Sequence, residues 1–113
     1  MKRTEQELPR PQPPSAYRML VRNHQVLADW QLLLHTRRAI CTRFWDHVAN
    51  TPTVVIGSRY LPLKGTQEWV EYEGQKLRRW QYEVDKGARI KVGVGKDFVV
   101  VIGVYTGHPK ENE

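Results

Sequence analysis

The side chains best suited to chemistry are cations in the second half of the chain, followed by a phenol and an imidazole. They are Lys64, Arg79, Arg89, Lys91, Tyr105 and His108. Arginine binds phosphate through paired hydrogen bonds, lysine acts as a point charge, and histidine has the pKa best matched to proton transfer near neutral pH. RNA carries its own nucleophile, the 2′-hydroxyl, so its cleavage needs a base, an acid and cations but no metal. These residue types are compatible with a metal-free nucleic-acid site.

Simpler interpretations of the same residues stay open. A row of cations on a strand is commonly a solvated face, and Arg89 would then pair with Glu83 across two neighbouring strands. His108 would be an ordinary surface histidine. The sequence by itself does not choose between these interpretations and the chemical one.

Other kinds of site find little support in the sequence. The remaining histidines, His24, His35 and His47, have no Cys, Asp or Glu at ligand spacing, so neither a metal nor a cofactor is expected. The single cysteine, Cys41, has no partner for a disulfide, which suits a reducing cytosol. No apolar run approaches the roughly 18 residues of a membrane span, and the N-terminus lacks a signal-peptide core. We therefore expect a cytoplasmic protein without a membrane partner.

The charge balance favours polyanionic partners. Lys and Arg exceed Asp and Glu by 18 to 12, which gives a formal net charge of +6 and a pI near 9.7. Such a balance is typical of nucleic-acid-binding domains, but it also serves simple solubility. At 113 residues the chain has the size of one domain.

The first half of the chain predicts a proline-rich arm and two helices. Residues 1–16 contain four of the seven prolines and too few apolar residues to fold, which predicts a flexible arm. Residues 17–21 fit a short strand or the start of a helix, and we favour the strand. Helical spacing of apolar residues begins at about His24, and Thr36 is the expected N-cap of a second helix that stops before Pro52. A single bent helix is the competing prediction.

After Pro52, glycines separate segments rich in Val, Ile, Trp and Tyr, which predicts an antiparallel sheet. Residues 77–84 and 88–94 alternate between apolar and polar, and a turn between them would place their residues in pairs. The expected pairs are Val84 with Ala88, Tyr82 with Ile90, Trp80 with Val92, Gln81 with Lys91, and Glu83 with Arg89. The cations Arg79, Arg89 and Lys91 would then share the face away from the core.

The last strand, residues 98–105, is apolar almost throughout, as in a central strand that is covered on both faces. With a three-residue loop before it, its core residues would be Phe98, Val100, Ile102 and Val104, and Gly103 would lie opposite Arg89. A two-residue loop would exchange the two faces. We favour the three-residue loop because it buries the larger set.

The order of these segments resembles the RelE/ParE superfamily of bacterial toxins. The segments that carry the resemblance are residues 63–65 (LKG), 79–84 (RWQYEV), 87–90 (GARI), the apolar strand and residues 106–109 (TGHP). Two helices precede them, with Trp30 in the first and Trp45 in the second. The similarity covers residues 17–109, which makes these the expected single domain, followed by a short tail at 110–113.

The resemblance implies an α+β fold, with a helical hairpin packed on a twisted antiparallel sheet, and an antitoxin as partner. RelE-like members cut messenger RNA on the ribosome, whereas ParE-like members inhibit DNA gyrase without cleaving RNA. On the RelE pattern, Lys64 and Arg89 would hold phosphate, and Tyr105 or His108 would serve as acid or base. Many RelE-like enzymes have a further arginine where this chain has Glu83-Val84, and they often add a longer C-terminal segment. A differently organised site, a gyrase inhibitor or a nucleic-acid-binding module therefore remains open.

Overall fold

The computed structural model of the protein describes Leu8, residues 16–85 and residues 87–106. In chain order its elements are β1 (Arg18–Val21), α1 (His24–Thr36), α2 (Arg38–Asn50), β2 (Tyr60–Pro62), a 3₁₀ turn (Gly65–Gln67), β3 (Trp69–Tyr72), β4 (Gln75–Asp85), β5 (Ala88–Val94) and β6 (Phe98–Tyr105). Most of the predicted arm at residues 1–16 and the predicted tail at 110–113 lie outside the described residues. Within the described part, no helix is long and apolar enough to cross a membrane.

The strands form one mixed sheet with the order β1-β6-β5-β4-β2. β3 also pairs with β4, along the first residues of that long strand, whereas β2 pairs with its middle. β2 to β6 pair in antiparallel fashion, but β1 runs parallel to β6. The predicted α+β architecture of two helices on a twisted sheet is confirmed, with this one parallel pair as an addition.

The two helices are separated by a single residue. The Asn23 side chain caps α1 by accepting a hydrogen bond of 2.9 Å from the Val26 backbone N–H. The expected N-cap role of Thr36 is wrong: Thr36 is the last residue of α1, and its hydroxyl donates to the Leu32 carbonyl oxygen one turn earlier. Arg37 breaks the helix with φ −136° and ψ 53°, so the chain forms two helices rather than one bent helix.

The register of β4 against β5 is the predicted one along most of its length. Four expected pairs are confirmed, namely Trp80–Val92, Gln81–Lys91, Tyr82–Ile90 and Glu83–Arg89. The expected pair of Val84 with Ala88 is wrong, because a bulge lies between Glu83 and Asp85 and places Asp85 opposite Ala88.

The faces of β6 differ from the favoured prediction. Gly95 donates its N–H to the Phe98 carbonyl oxygen (2.8 Å), which leaves a two-residue turn and sets Val94 opposite Val99. Over residues 98–102, the side chains therefore lie on the opposite face of the sheet from the one predicted. A bulge then shifts the register between Lys91 and Val92, which returns Val104 to the predicted core. Gly103 lies opposite Lys91, not opposite Arg89 as expected.

The sheet has an apolar cluster on each face. The main core lies between the sheet and the helices, and it includes Phe44, whose ring centroid is 5.2 Å from that of Tyr82. The second cluster consists of Val70, Leu77, Phe98, Val100 and Ile102. It packs over Gly93, where an added Cβ would be 3.0 Å from the Val70 side chain. The predicted functional cations share this second face, next to the apolar cluster.

Candidate functional site

Three of the predicted site residues come together on the sheet face opposite the helices. Tyr82 and Ile90 are paired and buried in the main core, so the alternation of the strands sends Arg79, Arg89 and Lys91 to the other face. All three are only partly exposed. The predicted shared face of these cations is confirmed, and we call the three residues the cationic group.

The side chain of Gln67 is hydrogen-bonded to two members of the cationic group. The side-chain oxygen Oε1 of Gln67 accepts from Nη1 of Arg79 at 2.9 Å and from Nζ of Lys91 at 3.4 Å. Arg79 also donates from Nη2 to the Trp69 backbone carbonyl (3.3 Å). Gln67 was not predicted as a site residue, and no local pattern indicates it, since the 3₁₀ turn is brought to β4 and β5 only by the fold.

Lys64 lies at the margin of this arrangement. It directly precedes the 3₁₀ turn, and it is exposed. The preceding residue, Leu63, donates its backbone N–H to the Arg79 carbonyl oxygen at 2.9 Å, which anchors the loop beside the cationic group. Within the described part of the chain, the Lys64 side chain makes no hydrogen bond or salt bridge to the group.

Tyr105 covers the end of the cationic group on β6. Its backbone pairs with Arg89, and the neighbouring pair is Lys91 with Gly103. The Tyr105 ring bends back over Gly103, so that a Cβ added there would be 2.5 Å from the phenol oxygen. Nζ of Lys91 lies 5.2 Å from the centre of this ring, within the range of a cation–π contact. The phenol predicted as a catalytic group is therefore next to the cations.

No carboxylate neutralises the cationic group within residues 16–85 and 87–106. The salt bridges found there join other pairs, Arg78 with Glu68 and Arg37 with Asp85. Glu83 lies opposite Arg89 in the register, yet the two side chains form no ion pair within 4.0 Å. In addition, the Nε atoms of Arg79 and Arg89 are buried without a hydrogen-bond partner. The simpler interpretation, in which Glu83 neutralises Arg89, thus lacks support.

Burial and the neighbouring positive charges both act on the protonation of Lys91. Burial lowers the pKa of Lys91, and the neighbouring guanidinium groups of Arg79 and Arg89 lower it further. A lysine with a lowered pKa keeps a larger fraction of neutral amine at a given pH, and the neutral amine can accept a proton. The site thus combines two arginines with a lysine of lowered pKa.

His108, the predicted acid or base, lies outside the described residues. Among the residues that are described, no group of three or more His, Cys, Asp or Glu side chains is arranged to hold a metal ion. The groups available for chemistry in this region are therefore the guanidiniums, the amines of Lys64 and Lys91, and the Tyr105 phenol.

Comparisons with known proteins identify the fold. No family model matches the chain, and no curated protein matches it in sequence. Among solved structures it is similar to the YoeB dimer from Staphylococcus aureus, with a TM-score of 0.59 and 6% identity over 82% of this chain and 99% of that one. It is also similar to a YoeB/ParE toxin from Agrobacterium tumefaciens, with a TM-score of 0.52 and 17% identity over 80% of this chain and 99% of that one.

The architecture thus defines a small α+β protein with a cationic site on the open face of its sheet. Its fold is similar to that of the YoeB and YoeB/ParE toxin structures. The resemblance predicted from the sequence is confirmed at the level of the fold.

Proposed function

We propose that the chain is the toxin of a toxin–antitoxin pair and that it cleaves messenger RNA on the ribosome. The observation that carries this proposal is the cationic group, whose three members share one sheet face with no carboxylate partner in the described residues. Uncompensated, partly buried cations beside an aromatic ring suit a phosphate chain and its bases. The fold supports the same conclusion, because one of the similar structures is named as a toxin.

The proposed chemistry is attack by the ribose on its own phosphate. The 2′-oxygen forms a bond to phosphorus while the bond from phosphorus to the 5′-oxygen breaks, giving a 2′,3′-cyclic phosphate and a 5′-hydroxyl. Arg79 and Arg89 would hold the phosphate and stabilise the charge that develops on it. Lys64, at the margin, would bind a neighbouring phosphate. Tyr105 or His108 would serve as the acid that protonates the leaving 5′-oxygen or as the base that takes the 2′-hydroxyl proton.

A cognate antitoxin is the proposed protein partner. It would keep the toxin inactive by covering the basic face or by packing an amphipathic helix against the protein. The expected result is that growth arrest disappears when the antitoxin is expressed together with the toxin, and that the two proteins purify as a complex.

The experiment that tests the proposed activity is induced expression in a bacterial host, with growth and message integrity followed together. The variants are Arg89→Ala, His108→Ala and, as a matched control, Arg38→Ala. Arg38 is an exposed arginine on α2, on the helix side of the sheet. We expect the wild type and Arg38→Ala to arrest growth with new 5′ ends in messages, and Arg89→Ala to lose both effects.

Other outcomes would replace the proposal with a specific alternative. Arrest with intact messages contradicts the ribonuclease activity and favours a gyrase inhibitor, which a supercoiling assay with purified gyrase would then test. Glu83-Val84, where many RelE-like enzymes have an arginine, is the feature that keeps this alternative open. Absence of arrest, together with salt-sensitive RNA binding, favours a binding module without catalysis.

A further inference from the structure

We propose that Lys91 is the general base of this site and that its neutral amine takes the proton from the RNA 2′-hydroxyl. The inference rests on the proposed ribonuclease function and deepens it. The resemblance to RelE-like toxins assigned phosphate binding to Lys64 and Arg89, and acid–base chemistry to Tyr105 and His108. It gave Lys91 no part in the proton transfer.

The position of Lys91 supports this role. Lys91 and Arg89 are two residues apart on β5, so their Cα atoms are separated by about 7 Å along the same face. Arg79 approaches from β4, and its Nη1 shares Oε1 of Gln67 with Nζ of Lys91. A phosphodiester held by both guanidinium groups would therefore be centred next to the Lys91 amine. Its ribose would lie within reach of that amine.

The surroundings of Lys91 lower its pKa. The charged or titratable groups that face Lys91 are Arg79 and Glu83 from β4, Arg89 from β5 and Tyr105 from β6. Glu83 makes no salt bridge with Lys91 within the described residues, and Gln67, which does contact it, is uncharged. Burial and the two guanidiniums lower the pKa of Lys91, which brings it towards the range in which a base acts.

The other side chains of the site are less suited to accept this proton. Arginine is not a base in proteins, so Arg79 and Arg89 are suited to stabilising charge. The Tyr105 hydroxyl lies over Gly103, on the β6 side of the group. The Lys91 amine thus shares Gln67 with Arg79 and lies 5.2 Å from the centre of the Tyr105 ring. Base and acid would then come from two different strands.

The complete step balances without a further reactant. Nζ of Lys91 accepts the 2′-hydroxyl proton as the 2′-oxygen bonds to phosphorus, and it becomes an ammonium group. The bond to the 5′-oxygen breaks with its electron pair, and that oxygen takes a proton from the acid of the site. The Lys91 ammonium returns its proton to water before the next turnover.

The first test compares Lys91→Arg and Lys91→Gln with the wild type on ribosomes programmed with a defined message. Lys96→Arg is the matched control, since Lys96 is exposed in the turn between β5 and β6. Arginine keeps the positive charge but cannot accept a proton. We expect Lys91→Arg to bind the programmed ribosome within about threefold of wild type and to cleave at least about 100-fold more slowly. Lys96→Arg should behave as wild type.

The pH dependence provides a second measurement. In the wild type, kcat/KM should rise with pH to a midpoint below the ordinary lysine value of 10.5, and Lys91→Gln should lose this rise. A Lys91→Arg enzyme with cleavage within about threefold of wild type would overturn the proposal, because charge alone would then suffice. Failure of the wild type to cleave any message would instead overturn the proposed function, and the assignment of Lys91 with it.

A modified message distinguishes a base from an acid. When sulfur replaces the 5′-oxygen at the cleavage site, the leaving group departs without needing a proton. Variants that lack the general acid are therefore rescued, whereas variants that lack the base are not. We expect Lys91→Arg to remain slow on this substrate. Its rescue to the wild-type rate would assign Lys91 as the acid and contradict the proposal.

Discussion

The Tyr105 ring lies against Gly103, so close that a Cβ on residue 103 would be 2.5 Å from the phenol oxygen. The contact is possible because Gly103 has no side chain, and it places the ring beside Lys91. Gly103 therefore positions a site residue without supplying any chemical group of its own. Gly103 on β6 thus affects the chemistry proposed for Tyr105.

Gly103→Ala should displace the ring while leaving the fold in place. The clash involves the far end of a flexible, partly exposed side chain, so the free energy of unfolding should change by less than about 1 kcal/mol. RNA cleavage should fall to the level of Tyr105→Ala, as measured by primer extension on a defined message. The double variant, with Gly103→Ala and Tyr105→Ala, should cleave RNA as fast as either single variant. Losses that multiply in the double variant would show that the glycine acts independently of the ring.

Gln67→Glu should shift the pH dependence of the activity upward. The substitution puts a carboxylate where the amide oxygen now accepts from Arg79 and Lys91, at 2.9 and 3.4 Å. A negative charge at this distance favours the ammonium form and should raise the pKa of Lys91. Less neutral amine is then present at a given pH, so kcat/KM should be lower near neutrality and recover at higher pH.

The control for this change is Gln75→Glu, which adds the same charge at the exposed start of β4. Its pH profile should match that of the wild type. An unchanged profile in Gln67→Glu would contradict the proposed coupling between Gln67 and the titration of Lys91.

Arg79→Ala and Arg89→Ala should each reduce the salt dependence of RNA binding. Each phosphate contact on a single strand contributes about 0.7 to the slope of log affinity against log salt concentration. Losing one arginine should therefore make the slope shallower by about this amount, in filter binding of a single-stranded RNA between about 50 and 200 mM salt. Arg38→Ala, on the helix side, should leave the slope unchanged. Equal slopes for all three variants would rule out phosphate contacts by Arg79 and Arg89.

Tyr60→Phe should weaken the fold and make its stability less sensitive to alkali. The Tyr60 hydroxyl is fully buried and donates to the Pro52 carbonyl oxygen at 2.6 Å, so its removal should cost about 1 kcal/mol at neutral pH. Burial raises the pKa of Tyr60 far above its ordinary value. The folded state then holds this proton more tightly than the unfolded state. The resulting stability is full below about pH 10 and is lost as the pH rises further.

Urea unfolding near neutrality and at two alkaline pH values would measure this effect. The free energy of unfolding should fall more steeply with pH in the wild type than in Tyr60→Phe. Val48→Ala removes buried volume without removing an ionisable group, so it should be destabilised but keep the wild-type slope. If Tyr60→Phe kept the wild-type slope, the alkaline loss of stability would have to come from other groups.

Alternation of apolar and polar residues predicts the faces of a strand where the pattern is local and strongly periodic. Alternation in β4 and β5 settled which residues face the core, and it led to the pairs of Tyr82 with Ile90 and Glu83 with Arg89. It failed in β6, where nearly every residue is apolar and both faces are buried. In such a strand the alternation carries no signal, so the turn and the bulge near Ile102 decided the faces.

The helix junction shows a related limit. Thr36 has the side chain of an N-cap, but the same hydroxyl can also donate to a carbonyl one turn earlier, as it does here. Only the break at Arg37 decides between these two uses.

The sequence by itself determined the residue types of the site, and a period of two along the strands put its arginines on one face with Lys91. The helical spacing of the first half and the strand alternation of the second half predicted an α+β fold. The tertiary structure decided which of these groups meet. It brought Gln67 to Arg79 and Lys91, laid Tyr105 over Gly103 and kept Glu83 from pairing with Arg89. The physical reason is that charge, burial and hydrogen bonding act over a few ångströms in space, whereas a sequence pattern records only separation along the chain.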